Sequence, residues 1–193
     1  DVIMTPGNYM YFDFYQADPK TQPYAIGGYT PIKKVYSYNP IPKDSLTAEQ
    51  EKHFLGVQAN TWTEYIPNEE HLEYMMFPRA LAVAEIGWTP QELREWNDFK
   101  PRMNAHVALL HKRGINAFPL SDELEVTMQV DTLKKQISVN LDAEKYPVEI
   151  RYTTDGSDPV ATSAVYDAAA GIVVADSAHI KAAIFKDGKM QGT

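Results

Sequence analysis

Short apolar runs alternate with longer helical patterns over residues 1–118 of the chain. Residues 2–4 and residues 54–62 each form an apolar run that predicts a β-strand. Between these runs, the pattern predicts a short helix near residues 31–38 and a helical turn at residues 46–53. Strands that alternate with helices are typical of a parallel sheet, so we expect two βα units in this part of the chain.

Two further helices are predicted after the second strand. Asn68 is a good N-cap residue, and the apolar segment at residues 72–88 predicts a buried helix that Pro78 divides or kinks. Residues 89–92, Thr-Pro-Gln-Glu, have the composition of a capping box and predict that the next helix begins there. That helix is expected to end at Arg113-Gly114. Its expected apolar stripe contains Leu93, Trp96, Met103, Val107 and Leu110.

Beyond Pro119 the apolar positions repeat with a period of two, which predicts half-buried strands. The turn pairs Asp155-Gly156 and Asp187-Gly188 favour an antiparallel sheet with tight connections. We therefore expect a domain boundary near Leu120, with a small antiparallel β-sandwich over residues 120–193. The predicted strands lie near residues 126–130, 137–141, 148–152, 172–174 and 180–185.

The α/β part of the chain, residues 1–119, is too short to close a barrel. A complete (β/α)8 barrel takes about 250 residues. The predicted fold is therefore α/β plus all-β: a partial (β/α)8 TIM barrel, followed by the sandwich. The first residues lack the basic region of a signal peptide and resemble a strand entered midway, which suggests a piece of a larger protein. Unpaired strand edges predict that the chain self-associates unless another segment completes it.

Composition narrows the functional classes. The net charge is −8 and the pI is about 5.1, which disfavours nucleic-acid binding because a basic surface is lacking. The chain has no cysteine, which excludes disulfides and thiolate chemistry, and no apolar run has the length of a membrane span. The five histidines show no metal-ligand spacing. Asp155, Gly156 and Asp158 are explained by a tight turn more simply than by a calcium site.

Two short polar-aromatic motifs follow the predicted strands. Tyr11 and Asp13 are two residues apart, as are Trp62 and Glu64, and side chains at this spacing point the same way in an extended chain. The carboxyl ends of barrel strands carry the active sites of such folds. An indole that stacks on a sugar ring beside a carboxylate that accepts hydroxyl hydrogen bonds is a sugar-binding combination. On the motifs alone, a tyrosine-rich packing loop is the better explanation of Tyr11 and Asp13, and a core tryptophan with a surface glutamate is an equally good explanation of Trp62 and Glu64.

Longer stretches carry a resemblance to a known family. Residues 56–66 (GVQANTWTEYI) and 74–88 (YMMFPRALAVAEIGW) strongly resemble the last barrel strand and helix of glycoside hydrolase family 20 β-N-acetylhexosaminidases. Residues 11–13 and 35–40 also resemble that family, in the expected order. Residues 150–159 (IRYTTDGSDP) are similar to the sandwich module that often follows these catalytic domains.

The resemblance implies an activity and a role for each candidate residue. Family 20 enzymes release terminal β-linked N-acetylglucosamine or N-acetylgalactosamine with retention, using the acetamido group of the substrate as the nucleophile. By resemblance, Tyr11 positions the acetamido carbonyl and Asp13 binds a sugar hydroxyl. Trp62 forms a wall of the pocket, and Glu64 binds hydroxyls on the far side of the ring. No cofactor or metal is implied, and the expected partners are N-acetylhexosaminide glycans. The resemblance also implies an extracytoplasmic parent protein.

The acid/base pair of the family has no counterpart in the chain. The only adjacent Asp-Glu, Asp122-Glu123, lies at the domain boundary and is better explained as a solvated connection. Arg79 and Glu85, in the apolar helix, are expected to form structural ion pairs. We therefore expect a portion of a hexosaminidase that is inactive by itself. The alternatives are a non-catalytic carbohydrate-binding or scaffold protein derived from that barrel, and a different glycoside hydrolase barrel with a related aromatic pocket.

Overall fold

The computed structural model describes residues 1–41, 46–175 and 177–192, which form two compact units, residues 1–119 and 120–193. In the first unit, a two-stranded parallel sheet pairs β1 (Val2–Met4) with β2 (Phe54–Val57). The α-helices among the described residues of this unit are α1 (Gly7–Met10), α2 (Ile32–Tyr36), α3 (Ala48–Glu51), α4 (Glu69–Met76), α5 (Arg79–Trp88) and α6 (Trp96–Lys112). Two 3-10 turns, Pro19–Thr21 and Gln91–Leu93, complete it.

The helix boundaries of the first unit follow local chemistry. Thr47 and Gln50 form a capping box at α3, and Asn68 accepts a hydrogen bond from the backbone N–H of His71 at the start of α4. Pro78 separates α4 from α5, as predicted, because proline cannot donate the hydrogen bond that would continue the helix. α6 ends at Lys112 with Arg113 as its C-cap residue, and Gly114 directly after it adopts a positive φ of 82°.

The predicted capping box at Thr89 is wrong. Pro90 has φ −51° and ψ 144°, an extended conformation, so residues 91–93 form only a 3-10 turn and α6 begins at Trp96. Leu93, placed on the buried stripe by the sequence, is 68% exposed for the same reason. The rest of the stripe lies on α6, where Met103 and Val107 are buried. Tyr36 of α2 stacks on Phe99 of α6 with ring centroids 4.5 Å apart and helps to close this core.

The second unit consists of two antiparallel sheets. One has the strand order β3 (Leu124–Asp131), β4 (Gln136–Ala143) and β7 (Ile172–Val174). The other has the order β6 (Ala164–Val165), β5 (Glu149–Thr153), β8 (Lys181–Lys186) and β9 (Lys189–Gly192). Val139, Leu141 and Ile172 of the first sheet pack against side chains of the second, which gives the predicted sandwich core. The strands β6 and β9 were not predicted.

The β8–β9 hairpin turns at Asp187 and Gly188, whose φ values are +52° and +73°. Two consecutive positive φ angles are the signature of a type I′ turn, for which Asp-Gly is a favoured pair. In the described part of the chain, no helix is long and apolar enough to span a bilayer.

Candidate functional site

Residues beyond the carboxyl ends of β1 and β2 meet at one edge of the parallel sheet. Tyr11 forms an isolated parallel bridge with Asn60. The backbone N–H of Phe12 donates to the carbonyl of Asn60 at 2.7 Å, and the N–H of Asn60 donates to the carbonyl of Met10 at 2.8 Å. Strand-like pairing therefore resumes after each strand has ended. It places the segment that carries Tyr11 and Asp13 beside the segment that leads to Trp62 and Glu64.

Asp13 is the buried carboxylate of this edge, with 6% of its surface exposed. The backbone N–H of Trp62 donates a hydrogen bond to it, and the charge of Glu64 is close enough to act on it. Its Oδ1 atom is buried and has no hydrogen-bond partner among the described residues. A buried carboxylate oxygen without a donor is costly and points to a missing donor at this position.

Burial is the main reason why the pKa of Asp13 lies above its ordinary value, and the negative charge of Glu64 raises the pKa further. The hydrogen bond from the backbone N–H of Asp13 itself, the positive charge of Arg79 and the hydrogen bond from Trp62 lower the pKa in turn. The protonated form of Asp13 therefore persists to a higher pH than that of an ordinary aspartate. A ligand that donates a hydrogen bond to Oδ1 is expected to favour the ionised form.

The strand β2 is shorter than the predicted residues 54–62, so Trp62 lies beyond its end, as Glu64 does. β2 ends at Val57, and both residues lie in the irregular segment that precedes α4. The Ile66 N–H donates to the Thr63 carbonyl at 3.1 Å and forms a turn at Glu64. The Trp62 side chain is 53% exposed, so its indole offers an uncovered apolar surface beside Asp13.

Tyr11 and Asp13 do not share one extended segment. Phe12 and Asp13 form a turn, in which the N–H of Phe14 approaches the carbonyl of Tyr11 at 3.4 Å. α1 occupies the stretch between β1 and Tyr11. The Tyr11 ring lies against Gly7 and 5.7 Å from the Phe14 ring. The structure thus brings Asp13, Trp62 and Glu64 together and places Tyr11 at the neighbouring bridge. A turn at Phe12 and Asp13 produces this arrangement, instead of the alternation of side chains along an extended strand.

Arg79 supports this turn, a role that was not predicted from the sequence. Its side chain is fully buried and donates to the carbonyls of Phe12 and Phe14, on either side of Asp13. The ion pair expected for the apolar helix is present at Glu85, which binds Arg102 of α6 at 2.7 Å. An arginine directly after a proline in an otherwise apolar helix was the available signal, because a buried cation needs many acceptors.

Asp122 and Glu123 lie in the second unit and have local partners there. Asp122 binds Lys145 at 2.6 Å, and the N–H of Glu123 donates to the Ser121 hydroxyl at 3.0 Å. Over residues 1–41, 46–175 and 177–192, no group of three or more histidine, aspartate or glutamate side chains is arranged to hold a metal ion. The chemistry that the described site offers is hydrogen bonding and stacking by Tyr11, Asp13, Trp62 and Glu64.

Comparison with known proteins assigns both parts of the chain. The profile of the glycosyl hydrolase family 20 catalytic domain matches residues 1–91, and that of the chitobiase/β-hexosaminidase C-terminal domain matches residues 129–193. Residues 1–91 belong to a glycosyl hydrolase family 20 catalytic domain. The family 20 match covers the whole of the candidate site, because all four residues lie within its range.

Two relatives of the chain carry the name β-hexosaminidase. The chain is 39% identical over 168 residues to a β-hexosaminidase of Porphyromonas gingivalis, covering 86% of the chain and 21% of that protein. It is 33% identical over 116 residues to one from Akkermansia muciniphila, covering 58% of the chain and 22% of the relative. The chain therefore spans about a fifth of the length of these curated relatives.

Solved family 20 structures have the same fold as the first part of the chain. The exo-β-N-acetylglucosaminidase of Vibrio harveyi in complex with N-acetylglucosamine matches with a TM-score of 0.54 and 32% identity, over 61% of this chain and 18% of that one. The β-N-acetylhexosaminidase of Streptomyces coelicolor matches with a TM-score of 0.52 and 28% identity, over 60% and 23% of the two chains. The predicted partial TIM barrel is confirmed, since these neighbours are family 20 barrel enzymes.

Proposed function

We propose that the protein to which this chain belongs is a retaining exo-β-N-acetylhexosaminidase, and that the chain supplies one half of the pocket for the terminal sugar. The substrates would be glycans that end in β-linked N-acetylglucosamine or N-acetylgalactosamine. The buried Oδ1 of Asp13, which has no donor among the residues that the structure describes, is the observation that carries this proposal. A sugar hydroxyl is a donor of suitable size, and its hydrogen bond to a carboxylate is charge-assisted.

The surroundings of Asp13 favour a sugar over a simple donor. The half-exposed indole of Trp62 offers a flat apolar surface for a pyranose ring, and Glu64 adds a second carboxylate for further hydroxyls. An acidic and aromatic site of this kind disfavours anionic ligands and suits a neutral polyol. The curated relatives with the name β-hexosaminidase support the same class of substrate.

The proposed reaction is substrate-assisted. The acetamido carbonyl oxygen attacks the anomeric carbon while the bond to the leaving oxygen breaks, and a general acid outside this chain protonates that oxygen. Water then attacks the anomeric carbon of the cyclic intermediate, with transfer of a proton to the same group, and restores the acetamide with net retention. Tyr11 would hold the acetamido carbonyl against the anomeric carbon, so that an intramolecular attack replaces a diffusional encounter.

A chromogenic assay tests the proposal in the natural protein that contains this chain. We expect release of 4-nitrophenol from the β-N-acetylglucosaminide or the β-N-acetylgalactosaminide, with little release from the matched β-glucoside, because the latter lacks the acetamido nucleophile. Equal turnover of the β-glucoside would contradict substrate assistance. Binding of N-acetylglucosamine without hydrolysis of either substrate would instead support a carbohydrate-binding or scaffold protein.

The isolated 193-residue chain is expected to be inactive and self-associating. It contains no counterpart of the family's acid/base pair, and Ile3 and Leu55 of the two-stranded sheet are largely exposed. Light scattering and the same chromogenic assay on the purified chain check this expectation. A monodisperse monomer with a single cooperative melting transition would count against self-association, and turnover above the background would refute inactivity.

A further inference from the structure

The guanidinium of Arg79 contacts the candidate site from its buried side. Arg79 is the first residue of α5 and has the largest of the fully buried side chains. Removing a cation from water is unfavourable unless the cation is well paired, so a side chain in this position must have compensating partners. The partners identify which part of the chain it stabilises.

Within the described part of the chain, Arg79 donates five hydrogen bonds to backbone carbonyls, as many as it has N–H donors. Nη2 donates to Phe12 at 2.6 Å and Nη1 donates to Phe14 at 3.0 Å. Nη1 also donates to Thr30 at 3.1 Å, while Nη2 and Nε share the carbonyl of Met75 at 2.5 and 3.2 Å. The guanidinium lies over the Phe12 ring, 4.6 Å from its centroid.

These contacts hold both peptide groups that flank Asp13. Because Phe12 and Phe14 are fixed by one rigid fork, the direction of the intervening carboxylate is fixed with them. Arg79 also donates to the carbonyl of Thr30, and the N–H of Thr30 donates to the carbonyl of Tyr15 at 2.7 Å. Thr30 is thus held beside the segment that follows Asp13. Lysine has three donors on one nitrogen and cannot reproduce this planar geometry.

We propose that Arg79 is a positioning residue for the sugar-binding carboxylate of Asp13, which it aligns by clamping the backbone on both sides of it. This inference rests on the proposed hexosaminidase function. Arg79 does not touch the substrate in this account. Its positive charge also acts on Asp13 and opposes the effect of burial on the pKa of that group. Arg79 therefore affects both the backbone conformation around Asp13 and the pKa of the Asp13 carboxyl group.

The chain offers a matched control in Arg94. Its Nη1 donates to the carbonyls of Tyr36 and Tyr38 at 3.2 and 3.0 Å, and the guanidinium lies over the Tyr36 ring at 6.0 Å. It thus has the same chemistry as Arg79 at a place that does not act on Asp13. Loss of either arginine removes carbonyl contacts, but only Arg79→Lys is expected to misalign the site.

The test is a double-mutant cycle in the natural protein, measured with the 4-nitrophenyl β-N-acetylglucosaminide at a temperature where every variant is folded. We expect Arg79→Lys to lower kcat/KM by about 30-fold, since a misplacement of 1 Å costs up to about 100-fold. Arg94→Lys is expected to change it by less than about threefold. In the Asp13→Asn background, Arg79→Lys is expected to lower kcat/KM by less than about threefold, because the aligned carboxylate is already gone. An equal loss in both backgrounds would overturn the proposal and leave Arg79 a purely structural role.

Two further measurements test the role of Arg79. Should Arg79→Lys fail to fold, Phe12→Leu removes only the ring under the guanidinium and is expected to lower kcat/KM a few-fold, again only when Asp13 is present. The acid limb of the pH profile of kcat/KM is expected to move to higher pH in Arg79→Met, since loss of the cation raises the pKa of Asp13. An unmoved limb contradicts the electrostatic link. An inactive wild-type protein would instead refute the proposed function, and this inference with it.

Discussion

Asp13→Asn is expected to lower kcat/KM for a β-N-acetylhexosaminide by about 100-fold, which corresponds to about 2.7 kcal/mol of transition-state stabilisation. The substitution keeps the shape of the side chain but replaces the oxygen acceptor that lacks a protein donor with a neutral amide. Hydrogen bonds to charged groups contribute about 1.5–3 kcal/mol, and a site built for a polar group loses most when that pairing fails. Steady-state kinetics with the chromogenic substrate measure the effect.

The control for Asp13→Asn is Asp98→Asn on α6, where the carboxylate is exposed and pairs with Arg102. We expect kcat/KM of this variant to stay within about twofold of the wild type, since surface ion pairs contribute little. A similar loss of activity in both variants would mean that Asp13 acts through general charge or stability. Retention of full activity by Asp13→Asn would remove the basis of the proposed sugar contact.

The stability of Asp13→Asn separates binding from folding. The pKa of Asp13 is raised in the folded protein, so the ionised carboxylate opposes folding above that pKa, and stability is gained as the pH falls through it. A neutral amide avoids this cost at neutral pH. The melting temperature of the variant is therefore expected to equal or exceed that of the wild type, so its loss of activity cannot come from unfolding.

Tyr11→Phe is expected to lower kcat by about 100-fold with a much smaller change in KM. The lost hydroxyl would act on the acetamido carbonyl mainly as charge develops there, and removal of one such donor typically costs about 100- to 1000-fold in kcat. Tyr9→Phe is the matched control, because Tyr9 lies two residues away and its ring packs against Tyr38 with centroids 5.0 Å apart. We expect that variant to remain near the wild-type rate.

The values of kcat and KM for Tyr11→Phe distinguish the possible roles of Tyr11. A raised KM with an unchanged kcat would show that Tyr11 contributes only to ground-state binding, in conflict with the proposed positioning of the nucleophile. A loss of kcat of the same size in Tyr9→Phe would indicate a general disturbance of α1. Both variants keep the aromatic ring, so the comparison isolates the hydroxyl group.

The hydrophobic pattern predicted most of the fold because it reports burial directly. The two strands of the parallel sheet and the alternating strands of the sandwich were visible as apolar periods. The failures lie where local signals compete with tertiary context. Thr89 and Pro90 are residues typical of a helix N-terminus, but Pro90 is extended and α6 begins only at Trp96. β6 has only two residues, too few to show a period.

The candidate site was only partly predictable. The closeness of its residues could be inferred because the chain segments after two parallel strands meet at one edge of the sheet. The charges of Asp13 and Glu64 do act on each other there. The conformation of the Asp13 turn could not be inferred, since it depends on carbonyl contacts with Arg79, more than sixty residues away. Such a contact leaves no periodic trace in the sequence.

The most direct test of the half-pocket is a crystal structure of the natural protein with N-acetylglucosamine bound. We expect a sugar hydroxyl at about 2.5–2.7 Å from Oδ1 of Asp13, the distance of a charge-assisted hydrogen bond. The Trp62 indole is expected to lie against the sugar, and Glu64 to accept from a second hydroxyl. A sugar bound away from Asp13, or a protein donor from elsewhere that occupies Oδ1, would contradict the assignment of this site.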